Sequence, residues 1–182
     1  MSSDLAVHTL GSFDVDIVVD LGCIGYARSG SLEDSIETLV KRFKPGILFG
    51  FDPHPGLTEK VGRLGATTVI TSRRAAWTHD GYVGLEVNGN CTHVVGEDES
   101  DGVVRCFDIA DWMLTLPDAN IILKMDIEGA EYVLLPFLTH WGVMDRVSRL
   151  LVEWHKGDKA NGYQSSQKAI VKEIKCPIEE WQ

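Results

Sequence analysis

Long apolar runs and basic residues are both scarce in this chain. No stretch approaches the ~18 apolar residues of a membrane-spanning helix, and the first residues show no basic segment followed by an apolar one. We therefore expect neither a membrane span nor a secretory signal. Lys and Arg number 17 against 27 Asp and Glu, for a net charge of −10. Because such a surface repels phosphates, and the basic pair Arg73 and Arg74 is too short to reverse this, we expect no nucleic-acid partner.

Cysteines are few and lie far apart. None of the four, Cys23, Cys91, Cys106 and Cys176, belongs to a CxxC pair. A disulfide framework or a thiolate zinc site needs a closer and more regular spacing. The pattern therefore predicts small buried side chains in a protein of the reducing cytoplasm.

The remaining composition is typical of one globular domain. The 182 residues are 44% apolar and 24% charged, and the mean hydropathy is −0.03. This is enough apolar material for a sizeable core and too much for a disordered chain. We expect a single domain over residues 1–182.

Short apolar strands alternate with amphipathic helices in the first part of the chain. The pattern predicts strands at 16–20, 47–51 and 67–71, separated by a helix that Ser31 caps and by a weaker helix at 58–64. Alternation of this kind favours an α/β fold, in which a mostly parallel sheet carries helices on both faces.

The second part continues this pattern after an interruption. Two hairpins, turning at 79–81 and at 97–102, predict an antiparallel elaboration. The later predicted elements are a helix at 109–116 capped by Asp108, a strand at 121–126, a helix that begins near Ala130, a strand at 150–153 and a helix at 164–174.

Acidic residues follow three of the predicted strands. Asp20, Asp52 and Asp126 each stand at the carboxyl end of a strand. In an open parallel sheet, ligands bind outside these ends, at the point where the strand order reverses. Gly22 and Gly25 would let a ligand approach the backbone and the N–H groups of the following helix. We expect the first and second strands to flank that point, which would bring Asp20 and Asp52 around a nucleoside-bearing cofactor.

The glycine spacing and the charge favour one class of cofactor. A dinucleotide would call for G-x-G-x-x-G after the first strand, whereas the segment from Gly22 to Gly25 is one glycine short. Carboxylates such as Asp20 suit a cationic sulfonium better than an anionic pyrophosphate. S-adenosylmethionine is therefore favoured over NAD, although the glycine pair alone fits a tight strand-to-helix turn equally well.

Five short stretches between Val18 and His155 carry a family resemblance. They read VVDLG, FGFDPHP, AWTHDG, LKMDIEGAE and LVEWH, starting at residues 18, 49, 76, 123 and 151. Together and in this order they resemble the FkbM-type methyltransferases. The K-x-D-x-E-G-x-E stretch is the specific signal, and the other stretches are individually common.

The resemblance implies a class I methyltransferase fold, which is Rossmann-like and binds S-adenosylmethionine. It also implies methyl transfer to a hydroxyl of a small molecule or a sugar. By position, the cofactor residues that it implies are Asp20, Gly22, Cys23 and Gly25 at the methionine end, Asp52 and Pro53 at the ribose, and Ala76 and Trp77 at the adenine.

Two departures from the family pattern accompany the resemblance. The family's D-x-G-A-N-x-G loop is one residue longer than the segment from Asp20 to Gly25. Little of the chain follows His155, so we expect a short carboxyl-terminal part without the final antiparallel strand pair of the full fold. A reshaped methionine loop and a reduced substrate lid are the expected consequences.

Asp126, Glu128 and His155 are the candidate catalytic groups. An in-line transfer needs a base beside the acceptor hydroxyl, and Asp126 and His155 are the two candidates for it. The ordinary explanations are an acid at a helix N-terminus for Glu128 and a surface histidine for His155. We assign no metal ligands, and a divalent ion on Asp126, Glu153 and His155 is the alternative that the ligand types leave open.

Two other functions stay open beside the methyltransferase. A domain of the same fold that binds the cofactor without catalysis fits the shortened loop. An NAD-binding oxidoreductase is disfavoured by the missing third glycine.

Overall fold

A seven-stranded sheet forms the centre of the computed structural model, which describes residues 15–26, 32–88, 91–95, 102–155 and 166–181. Six of its strands are parallel and one edge strand, β5, is antiparallel to its neighbour. The strands in spatial order are β13 (Ile178–Glu180), β12 (Val147–Val152), β11 (Ile121–Met125), β1 (Ile17–Leu21), β4 (Ile47–Phe51), β6 (Thr67–Ser72) and β5 (Lys60–Leu64).

The strand order reverses between β1 and β11. From β1 the chain builds outward through β4 and β6, and later crosses to β11 and builds outward the other way through β12 and β13. This pair is the switch point at which such sheets bind ligands. The expectation that the first and second strands flank it is wrong, because β11 and not β4 occupies the other side.

Helices cover both faces of this sheet, as predicted. Ile17, Val19 and Leu21 pack on one face with α2 (Ile109–Leu114), α3 (Glu131–His140), a 3-10 helix (Val143–Arg146) and α4 (Gln167–Glu173). Val18 points to the opposite face and packs with α1 (Ile36–Phe43). Side chains that alternate between two covered faces make β1 buried at every position.

Two predicted helix assignments in the first part of the chain are wrong. Most of the predicted helix at 58–64 is instead strand β5 (Lys60–Leu64) at the sheet edge, where the Thr71 hydroxyl accepts from the Lys60 N–H and donates to the Thr58 carbonyl. Helix α1 begins at Ile36 with Ser35 at its N-cap, later than a cap at Ser31 predicts. The preceding residues instead form two short antiparallel strands, β2 (Ile24–Tyr26) and β3 (Leu32–Asp34).

The middle of the chain forms a second, four-stranded sheet. Its spatial order is β7 (Ala75–Trp77), β10 (Gly102–Asp108), β8 (Gly81–Asn88) and β9 (Cys91–Val95). The predicted antiparallel elaboration is confirmed, but its hairpin turns between β8 and β9 and not at 79–81, because β7 pairs with β10 in parallel. The predicted turn at 97–102 lies mostly outside the described residues, and β10 pairs with β8.

The last elements follow the prediction with one addition. Asp108 caps α2 by accepting from the Asp111 N–H at 3.0 Å. Strand β13 joins β12 in parallel, so the seven-stranded sheet gains one further parallel strand after the last predicted helix. Across the described ranges, no helix combines the length and the apolar character needed to cross a bilayer.

Candidate functional site

A buried lysine stands at the switch point. All five residues of β11 are buried, including Lys124, which is 1% exposed. Its ammonium lies 3.1 Å from Asp20 Oδ1 on β1, donates to the Gly22 carbonyl at 2.5 Å and lies 3.6 Å from Asp126 Oδ2. Lys124 therefore links the carboxyl ends of β1 and β11 through these ion pairs and this hydrogen bond.

The charges of this buried pair compensate one another. Burial, the largest influence on Asp20, raises its pKa, while Lys124 and the Ser35 hydroxyl oppose that shift. Burial disfavours the charged form of Lys124 as well, but the carboxylates of Asp20 and Asp126 outweigh it and raise the pKa of the ammonium. Because the Lys124 ammonium lies beside Asp20, little net charge of an ionised Asp20 is left for a ligand.

The loop after β1 is shaped by packing and by hydrogen bonds. Gly22 adopts a positive φ of 77°, and a Cβ there would lie 1.6 Å from the Asp126 carbonyl oxygen. Cys23 is fully buried, and its carbonyl accepts from the Ser35 N–H. The Ser35 hydroxyl donates to Asp20 Oδ2 at 2.5 Å. Gly25 lies in β2. The prediction that the glycine pair leads directly into a helix N-terminus is therefore wrong.

Asp52 holds this loop from the neighbouring strand. It follows β4 and is 6% exposed. Its Oδ2 accepts from the Ile24 N–H at 3.0 Å and its Oδ1 accepts from the His54 N–H at 2.8 Å. Burial raises the pKa of Asp52, and these two main-chain hydrogen bonds oppose the shift.

An open cleft of about 660 Å³ lies beside Asp52. Pro53 lines it together with Arg73, Arg74 and residues of β10. Ala76 and Trp77 lie in β7 and are half-buried, and Ala76 pairs with Phe107, whose ring centroid is 4.6 Å from that of Phe51 at the end of β4. The predicted ribose and adenine residues therefore share one side of the sheet's carboxyl edge.

On the other side of the switch point, His155 is held by a buried glutamate. Glu131 is fully buried at the start of α3. Its Oε1 accepts from the His155 N–H at 2.8 Å and lies 3.1 Å from His155 Nδ1, and its Oε2 accepts from the Gly129 N–H at 2.9 Å. Because a carboxylate only accepts, this contact places the proton on Nδ1 and turns Nε2 outward.

Three further carboxylates surround His155 Nε2. Glu128 Oε2 lies 3.3 Å away, Asp126 Oδ1 3.7 Å and Glu153 Oε1 3.9 Å. Glu128 reaches this position from a backbone with φ of 56°, a conformation that residues other than glycine rarely adopt. We call Asp126, Glu128 and His155 the carboxylate–histidine cluster, since one side-chain ligand atom from each lies within 4.8 Å of the others.

The negative charge of this cluster affects the pKa values of His155, which belongs to it, and of the neighbouring Glu153. Burial disfavours the charged imidazole, but Glu131, Glu128 and Asp126 outweigh it and raise the pKa of His155. Burial also raises the pKa of Glu153, and the charge of Asp126 adds to that shift. The cluster therefore favours a cation, whether a proton on the imidazole or a charged ligand.

Replacing Glu131 with glutamine is expected to lower the free energy of unfolding by about 1–3 kcal/mol, because a glutamine offers one acceptor oxygen for three buried N–H groups. Chemical denaturation measures this loss. The matched control is Glu37→Gln, which alters an exposed carboxylate in an i,i+4 pair with Lys41 and is expected to leave the free energy of unfolding nearly unchanged. Equal stability of the two variants would contradict the assigned role of Glu131.

The structure brings some of the predicted site residues together and separates others. Asp20, Gly22 and Asp126 meet around Lys124, and the three predicted catalytic residues form one cluster. The Cys23 side chain is buried away from the edge, so only its backbone can face a ligand. Ser35 and Glu131 are the residues whose roles the sequence reasoning missed, whereas the interpretation of Lys124 as a structural ion-pair partner of the nearby acids is confirmed.

The role of Lys124 has a signal in the sequence. A lysine between Leu123 and Met125 in an otherwise apolar strand requires a buried partner of opposite charge. Nothing in the sequence links Ser35 to Asp20. Glu131 is also hidden, because an acid in the first turn of a helix has an ordinary explanation.

Comparison of the chain with family models, curated proteins and solved structures found no match. The fold itself is that of an α/β protein with a mostly parallel, seven-stranded sheet, in which the strand order reverses between β1 and β11.

Proposed function

We propose that this chain is an S-adenosylmethionine-dependent methyltransferase of the FkbM type, with a class I methyltransferase fold, that methylates a hydroxyl of a small molecule or sugar. One observation supports this most. The carboxyl ends of β4, β1 and β11 lie side by side and carry Asp52, the glycine loop, and Asp126 with Glu128 in that order, and His155 follows the next strand, β12. A ribose acceptor and an anionic centre for a sulfonium thus flank one loop.

Asp52 is suited to hold the ribose of the cofactor. Each of its carboxylate oxygens accepts one main-chain N–H, from Ile24 and from His54. Each oxygen retains a further lone pair, so both hydroxyls of a ribose can donate to Asp52 without displacing the loop. The adenine would then extend toward Pro53, Ala76 and the cleft.

The methionine end would lie over the Gly22 loop. The charge that attracts it differs from the sequence prediction, because Lys124 compensates Asp20. Asp126 and Glu128, which are a quarter or less exposed, place further carboxylates near the sulfonium. Attraction between opposite charges is strong where the surroundings exclude water.

The reaction is an in-line displacement at the methyl carbon. The acceptor oxygen forms a bond to this carbon while the bond from carbon to sulfur breaks, and the sulfur leaves as a neutral thioether. The hydroxyl proton passes to a group of the carboxylate–histidine cluster. Incubation with S-adenosylmethionine labelled in its methyl group and a panel of sugars and hydroxylated small molecules tests the transfer. Cofactor binding without any labelled product would instead favour the non-catalytic cofactor-binding domain.

Asp52→Asn is expected to weaken the binding of S-adenosylhomocysteine by about 1–3 kcal/mol, or ~5–150-fold in Kd, because a donor replaces one acceptor of the ribose hydroxyls. Isothermal titration calorimetry measures this change. Asp16→Asn is the matched control, since Asp16 also accepts one main-chain N–H, from Asn120, but at the opposite edge of the sheet. An unchanged Kd for Asp52→Asn would remove Asp52 from the site.

A further inference from the structure

We propose that the carboxylate–histidine cluster is a binding site for one divalent first-row transition ion, of which Mn²⁺ is the probe of choice. The ligands would be Asp126 Oδ1, Glu128 Oε2 and His155 Nε2. This set differs from the alternative left open by the sequence, because Glu128 takes the place of Glu153. The inference does not depend on the methyltransferase proposal, since ion binding is measured directly.

The spacing of the three atoms suits an ion better than it suits hydrogen bonds. Nε2 lies 3.3 Å from Glu128 and 3.7 Å from Asp126, longer than the ~2.7–3.2 Å of a well-formed N–H···O bond. Metal bonds of about 2.0–2.2 Å place ligand atoms ~3–4.4 Å apart. The three atoms lie within 4.8 Å of one another, so rotations of the two carboxylates close the site.

The imidazole is buried and prepared for coordination. His155 is 9% exposed, and its Nδ1 is occupied by the fully buried Glu131. A carboxylate behind a ligating histidine fixes the ring, fixes the tautomer that exposes Nε2, and raises the basicity of the ligand. Glu131 is accordingly a positioning residue that does not touch the ion.

The charge and the ligand types define the class of ion. Glu153 adds a further carboxylate 3.9 Å from Nε2, and Lys124, whose ammonium lies 3.6 Å from Asp126 Oδ2, also contacts Asp20 and the Gly22 carbonyl. One imidazole with two carboxylates suits Mn²⁺, Fe²⁺ or Zn²⁺, whereas Mg²⁺ and Ca²⁺ prefer oxygen ligands alone. With an ion bound, all three side chains of the cluster are ligands, and the acceptor proton of the proposed reaction would pass to Glu153, the neighbouring carboxylate outside the ligand set.

Titration of the metal-stripped full chain with Mn²⁺ tests this proposal. Calorimetry and the loss of the free-ion electron paramagnetic resonance signal are expected to show one site of micromolar affinity. Asp126→Asn and Glu128→Gln are each expected to raise the Kd at least ~10-fold, and Glu131→Gln by ~10–100-fold. Glu37→Gln is the control and is expected to leave the Kd unchanged. Equal affinity in all variants, or no binding by the wild-type chain, would overturn the proposal.

A second measurement uses the wild-type chain alone, so it tests the proposal even if the variants do not fold. Electron spin echo modulation of bound Mn²⁺ is expected to show the coupling of one directly coordinated imidazole nitrogen. Binding without this coupling would mean that the ion rests on surface carboxylates alone, and would also overturn the proposal. If the wild-type chain binds Mn²⁺ but transfers no methyl group, the proposed function is contradicted and the proposed metal site is not.

Discussion

Lys124→Met is expected to lower the free energy of unfolding by about 3–5 kcal/mol, because it leaves the Asp20 carboxylate buried without its counter-ion. Asp20 is fully buried and Lys124 is 1% exposed, so water cannot replace the ammonium. Methionine keeps most of the side-chain volume, and the loss therefore reports the charge. Urea denaturation followed by circular dichroism measures it.

Two variants distinguish the buried charge from other effects of this substitution. Lys41→Met removes an ammonium from an exposed i,i+4 pair with Glu37 and is expected to cost at most ~0.5 kcal/mol. The double variant Asp20→Asn, Lys124→Met is expected to regain part of the lost stability, because a neutral amide replaces the orphaned carboxylate. A double variant that is less stable than Lys124→Met would show that the carboxylate is not the source of the loss.

Gly22→Ala is expected to cost more than about 4 kcal/mol, or to prevent folding. The added Cβ would lie 1.6 Å from the Asp126 carbonyl oxygen, and the residue has a positive φ of 77°. The β1 loop cannot move away from Asp126, because the Gly22 N–H donates to the Phe51 carbonyl and the Gly22 carbonyl accepts from Lys124. Thermal unfolding, or the soluble yield of the variant, provides the measurement.

Gly62→Ala in β5 is the matched control for this substitution. Apart from its chain neighbours, no heavy atom of the residues that the structure describes lies within 4 Å of a Cβ at Gly62, and its φ is outside the left-handed region. We expect a change within about 1 kcal/mol, since alanine restricts the unfolded chain without a clash. A Gly22→Ala chain as stable as Gly62→Ala would contradict the contact between the β1 loop and the β11 loop.

The central strands could be predicted because their burial leaves a plain signal. Residues 47–51 form β4 as predicted, and β1 and β11 each lie within one residue of the predicted bounds. Parallel strands that are covered on both faces are apolar at nearly every position, whereas a surface helix of the same length would show polar residues on its outer face. The edge of the sheet is different. At 58–64, the polar residues and Gly62 give no period, and pairing with β6 decides the structure.

The strand order and the partners of the acids could not be read from the sequence. Asp20 is far from Lys124 and Asp126 in the chain, and it meets Lys124 only because β11 lies beside β1. Parallel neighbours are set by long-range crossovers that leave no local pattern. The same holds for Glu131, which contacts His155 across the space between α3 and the end of β12.

The central claim is that the carboxyl edge around β4, β1 and β11 binds S-adenosylmethionine. Calorimetric titration of the intact chain with S-adenosylmethionine, S-adenosylhomocysteine and NAD⁺ tests it most directly. We predict binding of the two sulfur compounds at one site per chain and no binding of NAD⁺. Binding of NAD⁺ with no heat from either sulfur compound would contradict the account.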